Sequence, residues 1–286
     1  MSNNSALPPL AAFGGLISVQ VGAAFAKGLF PLVGPEGVAA LRVAISALLL
    51  ALFLQPWKLR LTREQWPALI GYGLMLGLMN VLIYQAFAYI PLGVAISIEV
   101  TGPLVLALLG SRKRLDFAWI ALAAVGLALL PLGSVTGGLD WRGVGFALTA
   151  GACWATYVTL GARVASGGMR SVSAGMVAAA VIVVPLGASR AGTELLSSQA
   201  LSVGLLVAVM SSAVPYLLDI YALKRLPTKV FGVMMSASPA VSALAGFFVL
   251  HEALTLVQWL GIVAIAGACA GSALASGRGV IEEAVN

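Results

Sequence analysis

Glu99 lies inside Tyr89–Gly110, Y-I-P-L-G-V-A-I-S-I-E-V-T-G-P-L-V-L-A-L-L-G, and is the only acidic or basic residue in that stretch. Roughly 20 mostly apolar residues suffice to cross a bilayer as a helix, so the stretch reads as a membrane span. A carboxylate in hydrocarbon costs about 2.5 kcal/mol or more and usually faces a cavity or a partner. Thr101 and Gly102-Pro103 follow, and a proline inside a helix interrupts its hydrogen-bond ladder. Such a carboxylate can pair with a substrate ammonium and can carry a proton; Glu99 is expected to do both. The structural alternative is a hydrogen-bonding role or an ion pair with Arg42.

The elements that must hold Glu99 are themselves membrane spans. Of 286 residues, 60% are hydrophobic and only 9% charged, and the mean hydropathy is +1.03. Soluble domains carry about 25% charged residues, so the composition excludes a soluble protein. Cys153 and Cys269 fall in apolar stretches and read as small packing residues. They form no disulfide framework or metal-ligand spacing, and the single His251 cannot build a metal site. No cofactor or metal is expected. A cleavable signal peptide is not expected either, because the first basic residue, Lys27, comes too late for a charged leader.

The hydropathy pattern predicts ten spans, near 9–29, 36–54, 66–89, 92–110, 117–133, 142–163, 170–188, 200–222, 229–250 and 255–275. Thr62 with Gln65 and Thr255 with Gln258 have capping-box spacing. Asp116 and Asp140 suit N-caps of spans five and six. Pro91 and Pro227 stand just before spans four and nine, where a missing N–H does no harm. Gly73/Gly77 and Gly267/Gly271 allow close helix contact.

Of the 16 basic residues, twelve fall in the even-numbered loops and the C-terminal tail: Lys58, Arg60, Arg63, Arg112, Lys113, Arg114, Arg163, Arg170, Lys224, Arg225, Lys229 and Arg278. Only Lys27, Arg142 and Arg190 lie in or beside the odd loops, with Arg42 inside span two. The net charge of +6 therefore reads as a topology signal with both termini cytoplasmic, and not as a nucleic-acid surface.

The chain also repeats itself at an offset of 136, which pairs Pro91 with Pro227, Pro103 with Pro239, Asp116 with Glu252, Lys27 with Arg163 and Gly15 with Gly151. Five spans per copy put the second copy upside down. The expected fold is an all-α membrane protein of ten transmembrane helices, arranged as two five-helix inverted-topology repeats at 9–133 and 142–275, with a cytoplasmic tail at 276–286. Secondary transporters built this way bind substrate near the midplane, beside broken helices.

Glu99 lies eight residues below Pro91, about 12 Å into a core roughly 30 Å thick. Gln20, Asn80, Tyr84, Trp154, Tyr157, Ser236 and Ser238 fall at similar depths. Donors, acceptors and aromatics around one carboxylate suit a zwitterionic amino acid, whose ammonium can rest on aromatic faces. Asn80 and Gln20 equally suit plain interhelical hydrogen bonding. Arg42 can bind a substrate carboxylate, neutralise Glu99 or snorkel to the headgroups. Lys27 is expected to snorkel rather than to act as a gate, and His251-Glu252 to be a solvated turn. Asp219 is expected to pair with Lys224 or Arg225 rather than to serve as an inner gate or proton relay, leaving Tyr216, three residues earlier on the same face, as the better cavity residue.

The five-plus-five layout resembles the EamA-type members of the drug/metabolite transporter superfamily. G-L-F-P-L-V-G at 28–34, L-R-V-A at 41–44, I-P-L-G-V-A at 90–95, E-V-T-G-P-L at 99–104, S-R-K-R-L-D-F at 111–117, G-A-C-W-A at 151–155 and L-P-T-K-V-F-G at 226–232 are similar to the bacterial inner-membrane threonine/homoserine exporter family. The similarity runs from about Gly14 to Gly271. It implies proton-driven efflux of L-threonine, L-homoserine and analogues, through a cavity lined by spans one, three, six, eight and nine.

Other cargo fits the residues less well. Phosphate-bearing substrates call for several midplane cations, and only Arg42 qualifies; polyamines call for several midplane carboxylates, and only Glu99 is central. An intramembrane enzyme needs a catalytic pair, yet Glu99 and Asp219 differ by about 13 Å in depth. A structural or sensory role needs neither repeat nor polar midplane, and no ATP-binding motif is present. Oligomeric state, monomer or homodimer, stays open.

Overall fold

The computed structural model describes residues 7–109, 114–132 and 139–285. The side chains of residues 107–109, 114–116, 216, 220, 228–229 and 275–285 lie outside that description. Every regular element among the described residues is helical, as an unshielded bilayer core demands of a chain that forms no closed barrel. Eight helices are long and apolar enough to cross a membrane, and two shorter apolar stretches, Leu92–Leu106 and Phe117–Leu132, accompany them. The chain is a multi-pass membrane protein.

The elements are α1 (Leu7–Gly28), α2 (Phe30–Leu54), α3 (Trp66–Tyr89), α4 (Leu92–Glu99), α5 (Thr101–Leu109), α6 (Arg114–Leu132), α7 (Trp141–Arg163), α8 (Met169–Ala191), α9 (Ser198–Ala208), α10 (Val214–Leu223), α11 (Thr228–Met235), α12 (Ser238–Leu250) and α13 (Leu256–Val285). Several local expectations hold. Asp140 caps α7 by accepting the Arg142 N–H at 2.8 Å. Thr255 and Gln258 exchange both capping-box bonds, at 3.1 and 3.3 Å. Pro91 and Pro227 are the N-caps of α4 and α11. The N-cap suggested for Asp116 lies outside the described side chains.

Three departures have clear causes. The α2 helix begins at Phe30, only one residue after α1, but bends at Gly34, whose φ of +68° glycine adopts readily, just before Pro35. Spans four and nine break at Val100 and at Ser236–Ala237, three residues ahead of Pro103 and Pro239 and not at the prolines themselves. A proline lacks the N–H that would bond the carbonyl four residues back and crowds that carbonyl, so the damage appears upstream. Span eight contains a π-helical turn, Val209–Ala213, leading into Pro215. Such single wide turns recur at functional sites.

Glycines set the packing around the centre. Gly73 and Gly77 of α3 lie against Gly175, Ala178 and Ala179 of α8, and Gly271 of α13 lies under the Trp119 ring of α6. Gly102 meets the backbone of Gly151 on α7, and a Cβ on Gly151 would come within 2.6 Å of the Glu99 carbonyl oxygen. The break in span four is thus clamped backbone to backbone, which holds Glu99 in place.

Candidate functional site

A cavity of about 400 Å³ occupies the middle of the bundle. Its walls include Gln20 of α1, Arg42 of α2, Asn80 of α3, Glu99 of α4, Trp154 and Tyr157 of α7, Ser211 of the π turn, Asp219 of α10 and Ser238 of α12. A second cavity of about 280 Å³ shares Arg42, Asn80, Tyr157, Ser211 and Asp219 and continues past Leu50, Val172 and Pro215. Those three residues lie towards the face where α1 begins, here called the N-terminal face. A third space of about 240 Å³ lies behind both helix breaks, between Val100, Pro103, Ser236 and Cys269, with Trp154 and Ser238 shared as its wall.

Glu99 is 5% exposed and lines the central cavity. No ion pair ties it to Arg42: among the described residues the one ion pair is Lys27–Glu252. Hydroxyls serve the backbone around it, Ser97 Oγ donating to Gly93 O and Thr101 Oγ1 to Ile98 O, both at 2.6 Å. The carboxylate keeps its own bonding capacity for what enters the cavity.

Arg42 does not snorkel. Its Nη1 donates to Tyr84 Oη at 3.3 Å, and its guanidinium carbon sits 5.7 Å from the Tyr84 ring centre. Tyr84 is fully buried, with Phe87 edge-on at 5.5 Å and Phe30 at 6.1 Å. The aromatic wedge thus supports Arg42 from behind and leaves its other donors facing the cavity. Cation–π contact and a hydrogen bond together fix a long side chain that would otherwise sample many rotamers.

Of the residues expected at the site, Glu99, Gln20, Asn80, Trp154, Tyr157 and Arg42 share one cavity. Asn80 Nδ2 donates to Leu76 O at 2.8 Å. Tyr84 lies behind Arg42 and is not among the cavity-wall residues. Ser236 faces the space behind the breaks and donates to Gly232 O at 2.9 Å. The side chain of Tyr216 lies outside the described set.

Sequence reasoning passed over Ser211 and misplaced Asp219. Asp219 makes no ion pair with Lys224 or Arg225; Arg225 instead folds back onto Tyr221, 3.9 Å from its ring centre. Asp219 Oδ1, Ser211 Oγ and Gln20 Oε1 are all buried acceptors without a hydrogen-bond partner, and all three residues line the cavity. Buried polar atoms are normally satisfied, so these mark places for a solute or water. The signal was available: Ser211, Pro215 and Asp219 recur every four residues, on one helix face.

At the face opposite the N-terminal one, Lys27 and Glu252 depart from expectation. Lys27 Nζ donates to Glu252 Oε1 at 2.6 Å and to Ile90 O at 3.3 Å. Glu252 Oε2 accepts the Leu92 N–H at 2.8 Å. Lys27 is therefore no headgroup anchor, and Glu252 no solvated turn. Gly246 passes so close to Glu252 that a Cβ there would lie 2.5 Å from Oε2.

Comparison with known proteins places this architecture. The model of the EamA-like transporter family matches residues 141–274. The threonine/homoserine exporter RhtA of Salmonella typhimurium (strain LT2) is 48% identical over 270 residues, covering 94% of this chain and 92% of that one. RhtA of Escherichia coli K12 is 47% identical over 261 residues, covering 91% and 88%. The transporter YwfM of Bacillus subtilis, itself uncharacterised, is 28% identical over 240 residues, 80% of each chain. One protein of known crystal structure superposes with a TM-score of 0.63 at 22% identity, covering 97% of this chain and 99% of that one, and so shares the fold. The family match over residues 141–274, with near-half identity over almost the full length of named exporters, shows that this chain belongs to the EamA-like transporter family, a family of transporters and not of enzymes.

Proposed function

We propose that this protein exports small amino acids, L-threonine and L-homoserine foremost, across a bacterial inner membrane by exchange with protons. The observation that carries the reading is the central cavity, in which a carboxylate and a guanidinium face the same space without pairing to each other. A zwitterion brings one charge of each sign. Arg42 suits its carboxylate, and Glu99 suits its ammonium or, in the absence of substrate, a proton. Competition of ammonium and proton for Glu99 couples the two fluxes. Ser211 and Gln20 offer acceptors for a side-chain hydroxyl, which threonine and homoserine both carry. The names of the exporters at 47–48% identity point to the same cargo.

The fold reading belongs to this proposal. Residues 9–133 and 142–275 act as inverted five-helix repeats that rock about the cavity. Support comes from paired features at the offset of 136: Pro91 and Pro227 each cap a short helix, and Val100 and Ser236 each mark the break that follows. The packing is reciprocal as well, with α7 against α4 and α5 and α1 against α11 and α12. Basic residues around Lys58, Arg60, Arg163 and Arg170 assign the N-terminal face to the cytoplasm. The cavities run towards that face and Lys27–Glu252 ties the other, which supports an inward-facing reading of this state.

The test is a competition assay in proteoliposomes. Efflux of labelled L-threonine should be inhibited by excess unlabelled homoserine on the same side, and far less by a polyamine or a sugar phosphate. Equal inhibition by all of these, or none by homoserine, contradicts the substrate class.

A further inference from the structure

We infer that Lys27 and Glu252 form the outer gate of the transport cycle, and that Arg163 and Asp116 form its counterpart at the cytoplasmic face. The inference rests on the inverted-repeat reading above and adds the residues that close each end.

The outer gate is built from three separate elements. Lys27 ends α1, Ile90 and Leu92 flank the start of α4, and Glu252 follows α12. One carboxylate satisfies Lys27 through Oε1 and the backbone N–H of Leu92 through Oε2, while Lys27 also reaches the Ile90 carbonyl. The Lys27 and Glu252 side chains are 22% and 15% exposed, so water screens the pair little. A backbone N–H at a helix start favours a carboxylate further, because the first turn of a helix lacks intrahelical acceptors. These contacts hold α1 and α4 of the first half against the end of α12 in the second. The cavity can open to the outside only if they part.

The offset that carries Pro91 to Pro227 carries Lys27 to Arg163 and relates Asp116 to Glu252 in the same way. Ile90 and Leu92 correspond to Leu226 and Thr228. Arg163 is the last residue of α7 and exposed, and Asp116 lies in the first turn of α6 by its backbone position. Both are at the N-terminal face. In the outward-facing state the positions of Asp116, Arg163 and Thr228 come together at the cytoplasmic end as those of Glu252, Lys27 and Leu92 do here. One gate is closed whenever the other is open, and the two acidic residues are the only carboxylates that the offset pairs.

Thiol labelling of the cavity tests this without any substrate. In a background of Cys153→Ala and Cys269→Ala, Ser238→Cys reports access to a membrane-impermeant maleimide applied outside. Adding Glu252→Gln should raise the outside labelling rate about tenfold or more, the weight of one desolvated charge-assisted hydrogen bond. Lys27→Glu should do the same. Asp116→Asn and Arg163→Gln should lower it, by favouring the inward-facing state. Unchanged labelling in Glu252→Gln and Lys27→Glu, with protein folded by size-exclusion profile, overturns the outer gate. Unchanged labelling in Asp116→Asn and Arg163→Gln overturns the cytoplasmic half. Should the labelling shifts occur in protein that moves no threonine, the gates stand and the substrate reading falls.

Discussion

The helix pairs α4–α5 and α11–α12 are both interrupted three residues before a proline, yet Glu99 stands at the first break and Met235 at the equivalent place in the second. All eight residues of α4 are buried, whereas the described residues of α11 are half-buried or exposed. At the first break Gly102 and Gly151 bring two backbones into contact. At the second, Ser238 replaces the glycine, and Ser236 and Ser242 return their hydroxyls to the carbonyls of Gly232 and Pro239. A matching backbone device therefore serves two ends: one break is clamped rigid around the Glu99 carboxylate, the other lines the space with small hydroxyls. Backbone geometry can be common to both halves while the chemistry is held by one.

Substitutions can break that contrast or sharpen it. The largest effect short of Glu99 itself is expected from Arg42→Gln. It removes a charge-assisted interaction of about 1.5–3 kcal/mol and should weaken threonine binding roughly 10- to 100-fold, read as a higher half-saturation concentration in binding or counterflow. Gly102→Ala drives a Cβ into the Gly151 carbonyl and should lower the Tm of detergent-purified protein, at an overpacking cost of about 1–3 kcal/mol. Ser238, its counterpart at the other break, already carries a side chain, so Ser238→Ala should leave the Tm close to wild type. Asp219→Asn keeps shape but removes a charge on the side of the cavity nearer the N-terminal face; a loss of about fivefold in apparent affinity is expected, near the 1 kcal/mol of one hydrogen bond. Ser236→Ala is expected to be nearly silent, within about 0.5 kcal/mol, because its hydroxyl only serves the helix that carries it.

Much of the architecture was legible in the chain. The third span, 66–89, coincides with α3, and the Thr255–Gln258 box forms as its spacing predicts. The placement of Glu99, Gln20, Asn80, Trp154, Tyr157 and Ser238 in one cavity followed from depth, since helices of known rise bring equal depths together. Azimuth was harder. Tyr84 has the right depth but turns behind Arg42, and Ser236 turns away from the central cavity, because depth fixes a residue's height along a helix and not the side it occupies. Asp219 was read against its sequence neighbours Lys224 and Arg225, although the next helix in space, α1, offers Gly15, whose missing side chain leaves room for the Asp219 carboxylate. Lys27 and Glu252 are 225 residues apart, so no local rule joins them; only the offset of 136 hinted that their positions were related.

The most direct test of Glu99 is efflux of labelled L-threonine from proteoliposomes, with and without an imposed pH gradient, for wild type beside Glu99→Gln of equal folded yield. Gradient-accelerated efflux by wild type, and none by Glu99→Gln, is the predicted result. A Glu99→Gln protein that still moves threonine faster when the gradient is applied would contradict the assignment and shift proton coupling to Asp219.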